Sequence, residues 1–371
     1  MKNKKLLAAI LAFALCFGAV GCTASSEADD EPEIAGPITI LTPESGEKVD
    51  VVNTDVRKFL NNYTEGCSEE YYNDKDNTEP TPVSLNWEDI EGSEEYRILI
   101  STSEDMRDPV KLRSIKSETA VYNLRPGVKY YWQVETETED GTYMSDPAFF
   151  TVKNGPYIIS AGGVSNMRDF GGSEADGGTV RTDAVYRSAS LDDITDSGKT
   201  VLLNKLAIKT DLDLRAYGEG NAGYGSPLGE DAKYINISGV EYSEAIDTDA
   251  GKSTLAEELR VFADEENYPI VLHCTYGRDR AGTLTFILKA RLGVPELELY
   301  KDFELSMLSS GAHTKRSVET CIVSLKNLES KIRNYGPDDA TLKDCTEAFV
   351  KTCGITNEEL EQIRSLLLQT E

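Results

Sequence analysis

Apolar and polar positions change rhythm once along this chain. Between residues 37 and 153 the rhythm is two: Val83-Leu85-Trp87, Tyr96-Ile98-Ile100 and Tyr130-Trp132-Val134 set apolar side chains at alternate positions. Strands with one buried face read this way, so the segment is expected to be an all-β sandwich. Residues 50–82 interrupt it. There Val56, Phe59, Leu60 and Tyr63 fall at helical spacing, ahead of the polar run Asn73-Asp74-Lys75-Asp76-Asn77. The run has calcium-ligand residue types without the glycine and spacing of a calcium loop. From Asn154 onward short apolar strands, 184–187, 208–214, 234–237 and 270–273, alternate with helical patterns near 197–206, 253–264, 281–292, 296–308, 318–334, 340–352 and 358–368. That alternation marks an α/β domain over 154–371. Gly293 and Pro295 stop one helix and start the next.

The first residues do not belong to either pattern. Lys2, Lys4 and Lys5 precede an apolar run from Leu6 to Val20, and about 15 apolar residues are short for a bilayer span. The run ends in Ala19-Val20-Gly21-Cys22. Residues 1–22 therefore read as a signal segment, and small residues before Cys22 resemble a bacterial lipoprotein signal, in which that cysteine would carry the lipid. Residues 23–36 are polar and acidic, a flexible tether. The expected place is outside the cytoplasm, on a membrane through the lipid.

With 38 basic and 65 acidic residues the formal charge is −27, which excludes a nucleic-acid binder or a polybasic membrane binder. His273 and His313 are the only histidines. A histidine-based hydrolase and a multi-histidine zinc site are thereby excluded, and neither a metal nor another cofactor is expected.

The chemistry concentrates in His273-Cys274-Thr275-Tyr276-Gly277-Arg278-Asp279-Arg280-Ala281-Gly282, between the 270–273 strand and the following helix. Backbone amides of such a loop converge on one anion, aided by the helix dipole. A thiol at Cys274 is stabilised as thiolate by the same amides, and Arg280 offers a planar fork for two phosphoryl oxygens. The loop, Cys, five residues, Arg, resembles the signature of cysteine-dependent protein tyrosine phosphatases. Its spelling is closest to the bacterial tyrosine-specific and dual-specificity branch that also takes phosphoinositides. The resemblance extends to Asn166-Met167-Arg168-Asp169-Phe170-Gly171-Gly172, Tyr186-Arg187-Ser188, Asp213-Leu214-Arg215 and Asp302-Phe303-Glu304-Leu305-Ser306. In the β-rich segment, Leu124-Arg125-Pro126-Gly127-Val128-Lys129-Tyr130 resembles the tyrosine corner of fibronectin type III domains, with Trp87 as their core tryptophan.

The resemblance implies a central mixed sheet flanked by helices, with a fibronectin type III-like sandwich in front as a spacer. It implies a phosphomonoesterase working through a cysteinyl-phosphate. Cys274 is the expected nucleophile, Arg280 the phosphate fork and Asp279 the general acid, with Glu241, Glu244 and Asp247 as alternatives. Thr275, Tyr276, Gly277, Arg278 and Ala281 complete the phosphate loop; His273, Arg168, Asp169, Asp213 and Arg215 are expected to support it. Two positions depart from the branch. Arg278 replaces the usual Lys, keeping a cation near the phosphate, and Ala281 replaces a hydroxyl that steadies the departing thiolate. The expected partner is a phosphorylated protein or an inositol phosphate or phosphoinositide, the latter needing extra cations such as Arg278, Arg168 and Lys252. The alternative is a surface-anchored phospholigand-binding protein with little turnover. Cys345 and Cys353, about 12 Å apart on a helix, cannot pair, whereas Cys321 could reach either; buried free thiols are the favoured reading.

Overall fold

The computed structural model describes residues 34–72, 76–313 and 316–370. The signal segment, Cys22, most of the tether and residues 73–75 of the polar run lie outside them.

The alternating segments form two facing sheets. Tyr96–Ser101 and Lys129–Thr138 pair antiparallel in a seven-stranded sheet. Ile40–Thr42, Val83–Trp87 and Glu118–Val121 make a three-stranded one. Inward residues of both, among them Leu85, Trp87, Ile98, Trp132 and Phe150, share one core, as period-two patterning requires. Trp87 meets Tyr96 edge-on at 5.2 Å, and the Tyr130 hydroxyl accepts from the Arg125 amide at 2.9 Å.

The second half is built on a five-stranded sheet. Arg168–Asp169 runs antiparallel at one edge beside Val185–Ser188, followed by the parallel strands Ile270–His273, Thr210–Asp213 and Lys233–Asn236. Ile270–His273 is central and buried along its whole length, which its unbroken apolar run anticipates. It delivers the chain into the helix Asp279–Leu292, nearly every residue of which is buried. Gly293 closes that helix in the left-handed conformation at φ 81°, and Pro295 caps Glu296–Leu305.

Most expected elements appear with shifted ends. Asp249–Val261 begins ahead of the 253 start because the Thr248 hydroxyl caps it by accepting from Gly251 N. The helix expected over 197–206 is Asp196–Thr200 continued by a π turn, Val201–Lys205. The five described cysteines other than those of the signal, Cys67, Cys274, Cys321, Cys345 and Cys353, are all free.

One expectation needs correcting. The 50–82 insertion does contain a helix, Thr54–Asn61, capped by the Asn53 side chain, but the β-rich half that carries it is not a detached spacer. Val52, Val56, Phe59 and Cys67 pack with Ile158, Leu305 and Leu308 of the α/β half. A detached spacer would leave these apolar side chains in water; burying them against the other half removes that cost.

Candidate active site

The loop after Ile270–His273 is held by donors from outside itself. Ser190 N donates to the Thr275 carbonyl at 3.2 Å, Asn166 Nδ2 to the Tyr276 carbonyl at 3.0 Å, and Arg187 Nη2 to the Gly277 carbonyl at 2.7 Å. Three consecutive carbonyls are thus pinned outward. Because each peptide is planar and trans, the amides of residues 276, 277 and 278 point the opposite way, and none of them donates to an acceptor among the described residues. Gly277 makes the turn possible: it sits at φ 67°, and a Cβ there would lie 2.3 Å from the Ser188 carbonyl oxygen.

Cys274 is 2% exposed and lines a pocket of about 470 Å³ together with Thr275, Tyr276, Asp279 and Arg280. The remaining walls are Glu219, Gly239, Glu241, Glu244 and Arg316. Sequence reading missed Glu219, although Gly218 and Gly220 on either side, both at positive φ, mark a specially shaped loop. Its two carboxylate oxygens take Nη1 and Nη2 of Arg280 at 2.7 Å each, and the Thr275 hydroxyl donates to it. Arg280 is the main reason the Glu219 pKa falls to about 2. Burial opposes the Arg280 charge, but Glu219 and Cys274 hold its pKa above the ordinary value.

Arg278 departs from expectation. It is 1% exposed and turns away from the pocket, donating to both oxygens of Asp279 and to the Ala312 carbonyl. The neighbouring carboxylate supplies the compensation that a buried guanidinium needs, so Arg278 braces the candidate acid rather than offering a phosphate cation. Asp279 also receives the Tyr242 hydroxyl and, at 3.4 Å, Arg316 Nη1. Burial, then Asp279, keeps the Tyr242 phenol far above its usual pKa and therefore a donor. Glu241 pairs with Arg316 at 2.8 Å. Asp247 is drawn off to Lys331 at 2.6 Å and does not line the pocket.

Behind the loop, His273 is fully buried with Nε2 2.9 Å from Asp211 Oδ1. Burial lowers its pKa, but Asp211 and then Asp213 oppose this and the net shift is upward. Asp213 accepts the Arg215 guanidinium and amide, and Arg215 reaches Asp192 with both terminal nitrogens at 2.7 and 3.0 Å. Arg168 and Arg187 converge on Asp302 at 3.1 and 2.7 Å. Asp302 stays well below the carboxylate range although burial opposes it, with Lys289, Arg168 and Arg187 supplying the field. Asp169 is satisfied by the Gly171 and Asp183 amides at 2.7 and 2.9 Å, yet burial lifts its pKa to about 6. None of Arg168, Asp169, Asp213 and Arg215 lines the pocket.

Ala281 is fully buried, and the nearest hydroxyl along the helix is two residues on, about 200° around it, where Thr283 Oγ1 meets the Tyr242 amide and accepts from it at 2.8 Å.

The sequence profile of the tyrosine phosphatase family matches residues 159–369. The chain belongs to that family. A tyrosine-protein phosphatase of Nostoc commune is 24% identical over 225 residues, covering 51% of this chain and 76% of the relative. Among solved structures, the Siw14 catalytic core is 16% identical, with 38% of this chain and 78% of that chain covered and a TM-score of 0.28. The core catalytic domain of the PP-IP phosphatase Siw14 of S. cerevisiae, in complex with citrate, is 18% identical, with 40% and 86% covered and a TM-score of 0.28. The protein is a phosphatase, a phosphoric monoester hydrolase of the tyrosine-phosphatase type.

Proposed function

We propose that the protein hydrolyses singly phosphorylated groups, phosphotyrosyl side chains foremost, by two-step transfer through Cys274. The Cys274 thiolate attacks phosphorus, the ester P–O bond breaks, and the leaving oxygen takes the Asp279 proton. Water then attacks phosphorus, the S–P bond breaks, Asp279 takes the water proton, and inorganic phosphate leaves. The amides of 276 to 278 and the Arg280 fork hold the equatorial oxygens throughout. The observation that carries this reading is the triple pinning of the 275, 276 and 277 carbonyls, which aims three unpartnered amides from one short loop that starts at Cys274.

Monophosphates are favoured over inositol polyphosphates by the pocket's cations. Arg280 is paired with Glu219 and Arg316 with Glu241; Arg168 and Arg278 are buried away from the pocket, and Lys252 lies over the Tyr335 ring, 5.8 Å from its centre. Among the described residues no unpaired cation lines the pocket to meet a second phosphate.

The same reading extends to the N-terminus. Cys22 would carry a lipid and residues 37–153 would be a fibronectin type III-like domain, supported by the buried Trp87 and the Tyr130 to Arg125 bond. The enzyme would then act outside the cytoplasm, at a membrane.

Phosphotyrosyl peptide and an inositol polyphosphate, offered to wild type and Cys274→Ser, test the reading. The expected result is Cys274-dependent release of phosphate from the peptide and little from the polyphosphate. Turnover retained by Cys274→Ser would refute the mechanism, and a preference for the polyphosphate would refute the substrate class. Cys22→Ala should free the protein from membranes without altering turnover, and labelled fatty acid on that variant would contradict the lipid site.

A further inference from the structure

Two of the three donors that pin the loop carbonyls depend on residues from the insertion in the β-rich half. Asn166, 1% exposed and at φ 55°, can hold the Tyr276 carbonyl only while its own conformation is kept. Its side-chain oxygen takes Arg168 Nη1, and its amide donates to the Thr78 hydroxyl oxygen at 3.1 Å. Thr78 is fixed in turn, its amide and hydroxyl both donating to Asp76 Oδ1. Asp76 Oδ2 accepts from the Ser309 hydroxyl at 3.1 Å, and Asn77 N donates to the Leu308 carbonyl at 3.0 Å.

The second dependence runs through the helix Glu296–Leu305. Arg187, which pins the Gly277 carbonyl, is held by Asp302 of that helix. Two residues on, Glu304 is a fully buried carboxylate. Among the described residues every donor to it comes from the insertion: the Tyr63 hydroxyl at 2.7 Å, Gly66 N at 2.9 Å, and the Ser68 hydroxyl and amide at 3.0 and 3.4 Å. A buried carboxylate without donors is among the costliest arrangements a fold can hold. Without these residues the helix carrying Asp302 would have to move Glu304 to water.

We infer that Thr78, acting through Asn166, and Tyr63 and Ser68, acting through Glu304, are positioning residues of the phosphate loop, so the insertion is part of the phosphatase centre. This rests on the reading that the 274–280 loop binds the phosphoryl group. A peptide free to rotate no longer presents its amide to the anion, so the loss should appear in phosphate affinity and in transfer rate, beyond any loss of stability.

The test uses the full chain with Thr78→Val, which keeps the shape and removes the acceptor, and Thr78→Ser, which keeps the acceptor. Inorganic phosphate affinity is measured by calorimetry in the Cys274→Ser background, and the burst with p-nitrophenyl phosphate in the Cys274 background. Thr78→Val should weaken phosphate binding and slow the burst about tenfold, one lost buried hydrogen bond, and Thr78→Ser should restore both. Wild-type phosphate affinity and burst rate in a folded Thr78→Val protein would overturn the inference. If Thr78→Val does not fold, Ser68→Ala, which removes one of the four donors to Glu304 and leaves the Tyr63 hydroxyl and the amides of residues 66 and 68, takes its place: weakened phosphate binding supports the inference and unchanged binding overturns it. Absence of Cys274-dependent turnover in wild type would instead refute the catalytic reading, while the calorimetric arm would still decide the positioning.

Discussion

The carboxylate of Glu219 lies across the fork of Arg280, one oxygen on each terminal nitrogen at 2.7 Å. The pair sets the side-chain conformation of the arginine proposed to bind phosphate before any substrate arrives, and it places a negative charge beside an incoming dianion. These effects oppose each other: the first favours transfer, the second weakens binding. Glu219→Gln should therefore lower kcat, by roughly tenfold for a loosened bidentate contact, and lower KM as well. Steady-state kinetics with p-nitrophenyl phosphate read both constants, and an unchanged kcat would remove Glu219 from the positioning of Arg280. With the Glu219 pKa at about 2, the pair persists at every pH from 4 upward. No limb of the pH–rate profile in that range should vanish in Glu219→Gln.

Ala281 sets the second expectation. The family's usual hydroxyl is absent there, and Thr283, two residues on, is turned to the Tyr242 amide on another face of the helix. Hydrolysis of the cysteinyl-phosphate should then be the slow step, giving a burst of p-nitrophenol followed by slower turnover. Ala281→Thr should raise the steady rate several-fold with the burst nearly unchanged, because in the proposed mechanism the first transfer uses Cys274, Arg280 and Asp279. Rapid-quench detection of phosphoenzyme checks the step directly. A wild type with no burst and no gain in Ala281→Thr would show that another group already supplies the stabilisation.

Glu258 gives a pH prediction independent of catalysis. It is 1% exposed, its two carboxyl oxygens have no side-chain partner among the described residues, and burial lifts its pKa to about 8. A carboxyl whose folded pKa exceeds its unfolded value holds a proton in the native state that the unfolded chain has already released. Between about pH 4.5 and 8 this group alone makes stability fall as pH rises, by about 1.4 kcal/mol per pH unit, and above 8 its effect is constant. Glu258→Gln should remove that slope and stabilise the protein most at pH 8 and above. Urea unfolding at pH 5, 6.5 and 8 measures it, and a slope identical in wild type and variant would contradict the assignment.

What the chain's order of residues determined on its own is local. The apolar run into Ile270–His273, Cys274, Gly277, Arg280 and the helix that follows are contiguous, so their geometry depends on propensities and spacing within about twenty residues. The period-two strands and the capped helices were legible for the same reason, and their ends shifted only where a cap such as Thr248 competed. Tertiary structure decided everything that depends on which distant groups meet. Arg278 reads as a phosphate cation from its neighbours in sequence, yet the side chain follows the nearest compensating carboxylate, Asp279, into the interior. Glu219 carries no motif, and it reaches Arg280 only because strand 210–213 lies beside strand 270–273. The insertion reads as an elaboration of the sandwich because its apolar spacing says that it must bury a face without saying against what. The answer, Leu305, Leu308 and the buried Glu304, lies more than 200 residues away along the chain, beyond the reach of any local pattern.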